Sequence, residues 1–250
     1  MERENLVMQT TLLAGAILLE NGAEIARVED TMQRITTNAG YPNAQIFVLL
    51  TGITVALPDA AASQVRAIHR RGMDLEKVDQ VNTLSREFAT HRIDLPEFAT
   101  ALKHVNQAVP TFPFSWLLLA ALVVSVTLMV AFTGHATPAD LITCALAGVL
   151  GFAAFYWINH FGQIRFLSEF IGAFLIGLVT LIGFYLTPTG YHPDAIIIGA
   201  VMPLVPGVAI TNAVRDTMTG NLLSGPARAI EAILSAAAIG LGIALTSIFY

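Results

Sequence analysis

The chain has 250 residues, a net charge of −5, 55% hydrophobic and 12% charged residues, and a mean hydropathy of +0.66. Those values lie away from an average soluble domain, and no basic patch is present, so nucleic acid is excluded as a partner. A single cysteine, Cys144, excludes an internal disulfide framework and a cysteine-based metal cluster.

The charges are unevenly placed. Residues 1–109 hold ten of the thirteen Lys/Arg and thirteen of the eighteen Asp/Glu. Beyond them stand only Arg165, Arg215 and Arg228, with Asp140, Glu169, Asp194, Asp216 and Glu231. The expected organisation is a charged domain over 1–112 and an apolar one over 113–250. Met1–Asn5 has neither a basic n-region nor a small-residue cleavage site, so no signal peptide is expected.

The first predicted helix runs from Arg3 to Glu20. Its apolar stretch, Leu6–Leu19, contains Gln9, Thr10 and Thr11 and is too short for a membrane span, so it reads as a buried soluble helix. Asn21-Gly22 is a C-cap signal. A second helix follows from Ala23 to Asn38, with Ile25, Val28, Met32 and Ile35 as its inner stripe. Glu20, Glu24, Arg27, Glu29 and Asp30 read as its solvated face.

Gln45–Leu57 turns β-branched and aromatic, giving one long strand or two short ones with Thr51-Gly52 as a bend. Ser63–Arg71 is expected to pair with it, Val65 and Ile68 apolar and Arg66, Arg70 and Arg71 exposed. Helices follow over Leu75–Thr90 and Leu95–Val109, the second capped by Asp94-Leu-Pro96-Glu97. His69, His91 and His104 are dispersed and lack metal-ligand spacing. No phosphate-binding, dinucleotide or hydrolytic motif is present, so no cofactor, metal or catalytic residue is expected.

From Pro113 on, hydropathy predicts five spans: Phe114–Phe132, Ala139–Trp157, Phe166–Leu186, Ala195–Thr211 and Ala227–Phe249. Each is long enough to cross a roughly 30 Å hydrocarbon layer, the fourth only just. All three arginines of this half fall in the connections Ile158–Arg165 and Asn212–Arg228. The positive-inside rule then puts those loops and the N-terminal domain in the cytoplasm and Tyr250 outside. Gly148, Gly151, Ala173, Gly177, Ala236, Gly240, Ala238 and Gly242 recur at helical spacing and read as close-packing positions. Five spans are few to enclose a solute path, so a partner subunit or a homo-oligomer is expected.

The fourth span breaks at Pro203-Leu-Val-Pro206-Gly207 and runs into Thr211-Asn212-Ala-Val-Arg215-Asp216. In lipid, such a break needs neighbouring helices or a watery cavity to satisfy the freed backbone groups, and broken helices often line solute sites. If the segment stays helical, Asn212 and Asp216 share a face with Arg215 beside them. Arg215 there suits a carboxylate, and Asp216 and Asn212 an ammonium. Equally open is a membrane-surface anchor, Arg215, paired with a surface Asp216. Arg228 and Glu231 form either a headgroup-level pair or, through Glu231, a proton or substrate relay. Asp140 after Thr137-Pro138 reads as a capping box, Asp194 as a similar helix start, and Glu169 as a partner of Arg165. Ser125, Thr127 and Ser168 are read as bonding to their own helices.

Two segments carry a resemblance. Leu18-Leu-Glu-Asn-Gly22-Ala-Glu24-Ile-Ala-Arg27-Val-Glu29 resembles the opening of the threonine/serine exporter family. Pro206-Gly207, Thr211-Asn212-Ala213-Val-Arg215-Asp216, Gly220-Asn-Leu-Leu-Ser224-Gly225-Pro-Ala-Arg228 and Glu231 resemble its second hallmark. Pro226 stands where that pattern more often has leucine. The chain is similar to the family's shorter type, which pairs with a separate small multi-span membrane subunit.

The resemblance implies export of threonine and serine linked to the proton motive force, with a dicarboxylate such as succinate as the alternative solute. The implied fold is an α-helical membrane protein, five transmembrane helices preceded by a small cytoplasmic α+β domain, in the cytoplasmic membrane. Pro206, Gly207, Thr211, Asn212, Arg215 and Asp216 are the expected solute contacts. Arg228 and Glu231 are the expected gating or proton-coupled groups, and Gly22, Glu24, Arg27 and Glu29 form the motif of the N-terminal domain. A non-transporting scaffold or an intramembrane enzyme is the competing reading; the enzyme needs a nucleophile–base pair or a metal site, which the sequence lacks.

Overall fold

The structure is a computed structural model that describes residues 2–58, 61–69, 71–108, 112–134, 136–162, 166–187 and 191–249. Arg70, Val109, Arg165 and Tyr250, used in the sequence argument, lie outside the described residues, as does 188–190. The chain is mostly helical and forms two compact units. The first comprises Met1–Thr111 and Val208–Ala229; the second comprises Phe112–Gly207 and Ile230–Tyr250.

The first unit opens with α1 (Glu2–Glu20) and α2 (Ile25–Asn38). Burial surrounds α1 on most sides from Val7 to Leu19, so it reads as apolar without being a membrane span. The α2 helix instead buries the single stripe Ile25, Val28, Met32 and Ile35. A Cβ on Gly15 would run into Met32, so this glycine lets the two helices close.

The next stretch is two strands and not one: β1 (Gln45–Leu49) and β2 (Gly52–Leu57) form an antiparallel hairpin, with Leu49 opposite Gly52. The third strand, β3 (Ala62–Ala67), pairs antiparallel with β2, Val55 facing Gln64. Its burial alternates, with Ala62, Gln64 and Arg66 half-buried and Val65 exposed. The arginine face expected to be exposed is therefore half-buried at Arg66, and at Arg71, which reaches the Leu50 carbonyl. On an edge strand one turned side is wet, and apolar content alone does not say which.

Helices α3 (Leu75–Ala89) and α4 (Leu95–Gln107) complete this part. Asp94 and Glu97 form a full capping box on α4. Phe88 stacks on Phe98 at 5.2 Å, and Phe98 and Leu102 are fully buried with Ile17, Leu18, Ile53 and Leu57. The unit is finished by α9 (Gly207–Met218) and by Ser224–Ala229, the start of α10 (Ser224–Ser247). Gly220, at φ +89°, turns the chain between them, and Ala227 packs on the unit's core.

The second unit contains α5 (Phe114–Thr133), α6 (Pro138–Gly162), α7 (Leu167–Leu186), α8 (Pro193–Val201) and the rest of α10. Among the described residues, four helices are long and apolar enough to cross a membrane, and a fifth crossing is available if the bent pair 193–204 and 207–218 counts as one. The expected break in the fourth span is present: the stretch is α8, a 3-10 turn at Met202–Leu204 and α9, bent by 62°, and it extends beyond the expected Ala195–Thr211 at both ends. Pro203 and Pro206 lack the N–H groups that a continuous helix would use. Only 17–33% of the four apolar windows is buried, leaving Trp116, Leu119, Phe132, Ile142 and Leu146 outward.

Small residues set the packing inside this unit. A Cβ at Gly148 would strike Ser125, one at Gly151 would strike Ile176, and one at Gly177 would strike Thr246. Gly242 lies against the Phe170 carbonyl and the Phe174 amide of α7. Gly240 has nothing within 4 Å of an added Cβ, so the packing reading does not extend to it. Thr127 bonds its own helix at the Val123 carbonyl, as expected, whereas buried Ser125 has no hydrogen-bond partner among the described residues.

Candidate functional site

The site begins where α1 ends. Asn21 closes the helix through its backbone and side chain onto the Ile17 carbonyl, and Ala23 N–H bonds the Leu18 carbonyl. Gly22 takes φ +97°, a left-handed value that any side chain would strain. The turn presents the carbonyls of Gly22 and Ala23. It also leaves the first N–H groups of α2 in need of acceptors, because the N-cap residue Glu24 makes no side-chain cap bond.

Those groups are satisfied by residues about 190 positions later in the chain. Ile25 N–H donates to Asp216 Oδ1 at 2.9 Å, so a carboxylate from α9 caps α2. Asn212 Nδ2 donates to the Gly22 carbonyl at 2.8 Å, and an Arg228 terminal N–H donates to the Ala23 carbonyl at 2.8 Å. Arg228 Nε lies 3.1 Å from Asp216 Oδ2 as an ion pair. Asp216 is fully buried, with Asn212 and Arg228 under 10% exposed. Arg215 is half-exposed and holds Glu24 Oε2 at 2.7 Å, while Arg27 approaches Glu24 Oε1 at 3.4 Å.

The local folding explains the convergence. Asn212 and Asp216 sit four residues apart on one face of α9, as helical continuation requires. Asn221 N–H returns to the Asp216 carbonyl and reverses the chain into α10. Gly225 lets α10 approach the Thr217 backbone, which a Cβ would prevent. Arg228, one turn into α10, then reaches Asp216.

The sequence residues are sorted by this arrangement. Gly22, Glu24, Asn212, Arg215, Asp216 and Arg228 form one cluster, with Arg27 at its edge. The surface pair of Arg215 with Asp216 is overturned: burial gives Asp216 to Arg228, and Arg215 pairs with Glu24 instead. The solvated-face reading of α2 holds for Arg27 and Asp30 but not for Glu24, whose side chain is 13% exposed.

Glu29 stands apart, half-buried. Burial pushes its carboxyl above the ordinary value, the Val48 N–H pulls it back, and the charge of Asp216 pushes it up again. Glu20 is raised by burial too, against the charges of Arg66 and Lys77. Thr211 is exposed on α9, and Pro206, Gly207 and Glu231 belong to the second unit.

A second polar cluster lies wholly in the second unit. Thr137 N–H donates to Asp140 Oδ2 and Asp140 N–H to Thr137 Oγ1, the expected capping box on α6. Asp140 also accepts the His192 backbone N–H at 3.0 Å and lies 2.9 Å from His192 Nδ1. Glu169 accepts from Ser168 and Ser235. Sequence reasoning missed His192 and Ser235; neither carries a local signal for a partner more than fifty residues away.

Chemically, the first cluster is closed. Asp216 and Arg228 neutralise each other and bind backbone groups of the turn, so a solute carboxylate reaching Arg228 must displace Asp216. That makes it a latch between two distant segments before it is an open pocket.

A "Probable threonine/serine exporter" of Mycobacterium tuberculosis (strain ATCC 25618 / H37Rv) is 22% identical over 251 residues, covering 96% of this chain. The chain spans 45% of that relative's length. No solved structure matches. The family described as "Putative threonine/serine exporter" matches residues 9–250, which include both latched segments. With its apolar helices, the chain is a multi-pass membrane protein and belongs to the threonine/serine exporter family.

Proposed function

We propose that the chain is one subunit of a secondary exporter that moves threonine and serine out of the cell, driven by the proton motive force. The observation that supports it most is the buried Asp216–Arg228 pair holding the α1–α2 turn, because it joins the two segments that resemble the exporter family. In this reading residues 1–112 form a small cytoplasmic α+β domain and Tyr250 is outside. A separate small multi-span subunit completes the path, since the five crossings alone are few.

The latch is the loading gate. A zwitterionic solute offers a carboxylate to Arg228 or Arg215 and an ammonium to Asp216 and Asn212, the same charges that now satisfy one another. Exchange of partners frees α9 from the α2 N-terminus. The Pro206-Gly207 break allows α9 to move without unwinding α8. Glu231, on α10, is the proton-coupled carboxylate, because a carboxyl near the bilayer is costly to keep charged.

Flux of labelled threonine, serine and succinate into proteoliposomes, with and without the partner and under an imposed proton gradient, tests this. Threonine and serine flux is expected with the partner present. No flux of any solute overturns the exporter reading, and succinate flux alone changes the substrate. Asp216→Asn is expected to abolish export while membrane insertion stays intact; retained export removes Asp216 from the gate.

A further inference from the structure

We propose that a groove between α2 and α3 in the first unit binds a small α-amino acid as its zwitterion, and that its occupancy is sensed by the Glu24–Arg215 pair. The groove has a volume of about 350 Å³, and Ala26 is the one apolar residue among those lining it. Its floor carries neutral hydrogen-bonding groups: Thr31 and Ser85, each 5% exposed, and Asn82, with Thr31 Oγ1 3.5 Å from Asn82 Oδ1.

The rim carries charges of both signs. Arg34 is held by Asp30 at 3.0 Å, and Arg27 shares Glu24. Arg86 also lines the groove, and its guanidinium has no ion pair or hydrogen bond among the described residues. An exposed guanidinium without a protein partner, beside hydroxyl and amide groups, suits a carboxylate, which it can bind in two-pronged fashion. Glu24 and Asp30 on the same rim offer carboxylates to an ammonium. A side-chain hydroxyl on the ligand finds partners on the floor. Together these suit a hydroxylated amino acid, whose two charges and hydroxyl each find a partner.

Glu24 gives the site its readout. One of its oxygens faces Arg27 in the groove, and the other holds Arg215 of α9 at 2.7 Å. An ammonium arriving at Glu24 competes with Arg215 and loosens α9's hold on the α1–α2 turn. By linkage, loosening that pair must strengthen the ligand's hold on Glu24. The cytoplasmic solute would thereby weaken the latch before it is loaded. Threonine as the ligand rests on the exporter reading; the mixed-charge lining does not.

Titration calorimetry of the full chain in detergent micelles tests both parts, with threonine as the probe. Arg86→Gln is expected to weaken binding at least tenfold, and Arg86→Lys to restore part of it. Equal affinity in Arg86→Gln, or no binding by the unaltered chain, overturns the site. Displacement of threonine by succinate or inorganic phosphate at similar concentrations overturns the zwitterion assignment.

Saturating threonine is expected to speed amide exchange at Ile25, whose N–H the latch holds, in the unaltered chain and not in Arg86→Gln; equal exchange in both overturns the coupling. Flux in proteoliposomes separates the two readings. Flux without groove binding overturns this site and keeps the exporter, whereas groove binding without flux does the opposite.

Discussion

Asp140 and Asp216 are both buried carboxylates, each within 1% of full burial, yet they are satisfied in opposite ways. Asp140 combines a near and a far partner: Thr137, three residues away, closes a capping box, and His192, 52 residues away, adds two contacts. Asp216 is held by Ile25, 191 residues away, and by Arg228 across a chain reversal. The first is a local helix cap reinforced by tertiary contacts. The second is a tertiary joint with a desolvated ion pair at its centre. Breaking the joint should cost more than breaking the cap, because it strands a buried cation.

The largest effect is expected at Asp216→Ala. Removing one member of a buried pair costs about 3–5 kcal/mol, and here the α2 N-terminus loses its acceptor as well. Thermal unfolding in detergent should drop sharply, and amide exchange at Ile25 should accelerate. Unchanged exchange at Ile25 would break the contrast with Asp140. Next comes Gly225→Val, whose side chain collides with the Thr217 backbone and forces α9 and α10 apart. About 1–3 kcal/mol is expected, read from the same melt, because backbone cannot step aside as a side-chain tip can.

Thr137→Ala should cost about 1 kcal/mol, the ordinary price of a helix cap. Exchange should rise only in the first turn of α6, since Asp140 retains its two contacts to His192. A loss as large as that of Asp216→Ala would erase the distinction between cap and joint.

The smallest effect concerns pH. Burial holds Glu29 above the ordinary carboxylate value of 4.5, so the folded chain binds its proton more tightly than the unfolded one. Its contribution to stability is fully present below that value and is lost as pH rises through the folded value. Glu29→Gln should flatten this fall in a series of melts started near pH 4.5 and run upward. An unchanged slope would show that Glu29 is as solvated as the sequence reading of α2 supposed.

What the sequence made legible follows the same division between near and far. The α1 C-cap at Asn21-Gly22, the α4 capping box and the Thr137–Asp140 cap rest on partners within four residues, and all appear in the structure. The Pro206-Gly207 break was readable because proline acts on its own helix, although where α8 stops, at Val201, was not. Asn212 and Asp216 on one helix face followed from spacing alone. Their partners did not, because backbone groups of Gly22 and Ile25 have no residue type to advertise them. The half-burial of Arg66 opposite an exposed Val65 was not legible, because an edge strand of six residues offers too short a pattern to tell its wet side from its dry one.

The first unit's two stretches, 1–111 and 208–229, also set an order on synthesis. A ribosome delivers the α1–α2 turn early, but Asp216 and Arg228 emerge only after α5 to α8 have been made. Throughout that interval the α2 N-terminus and the carbonyls of Gly22 and Ala23 must be hydrated or held by a chaperone. Closing the latch is therefore a late step: it can form only on chains whose intervening helices have already been made and whose last helix has begun.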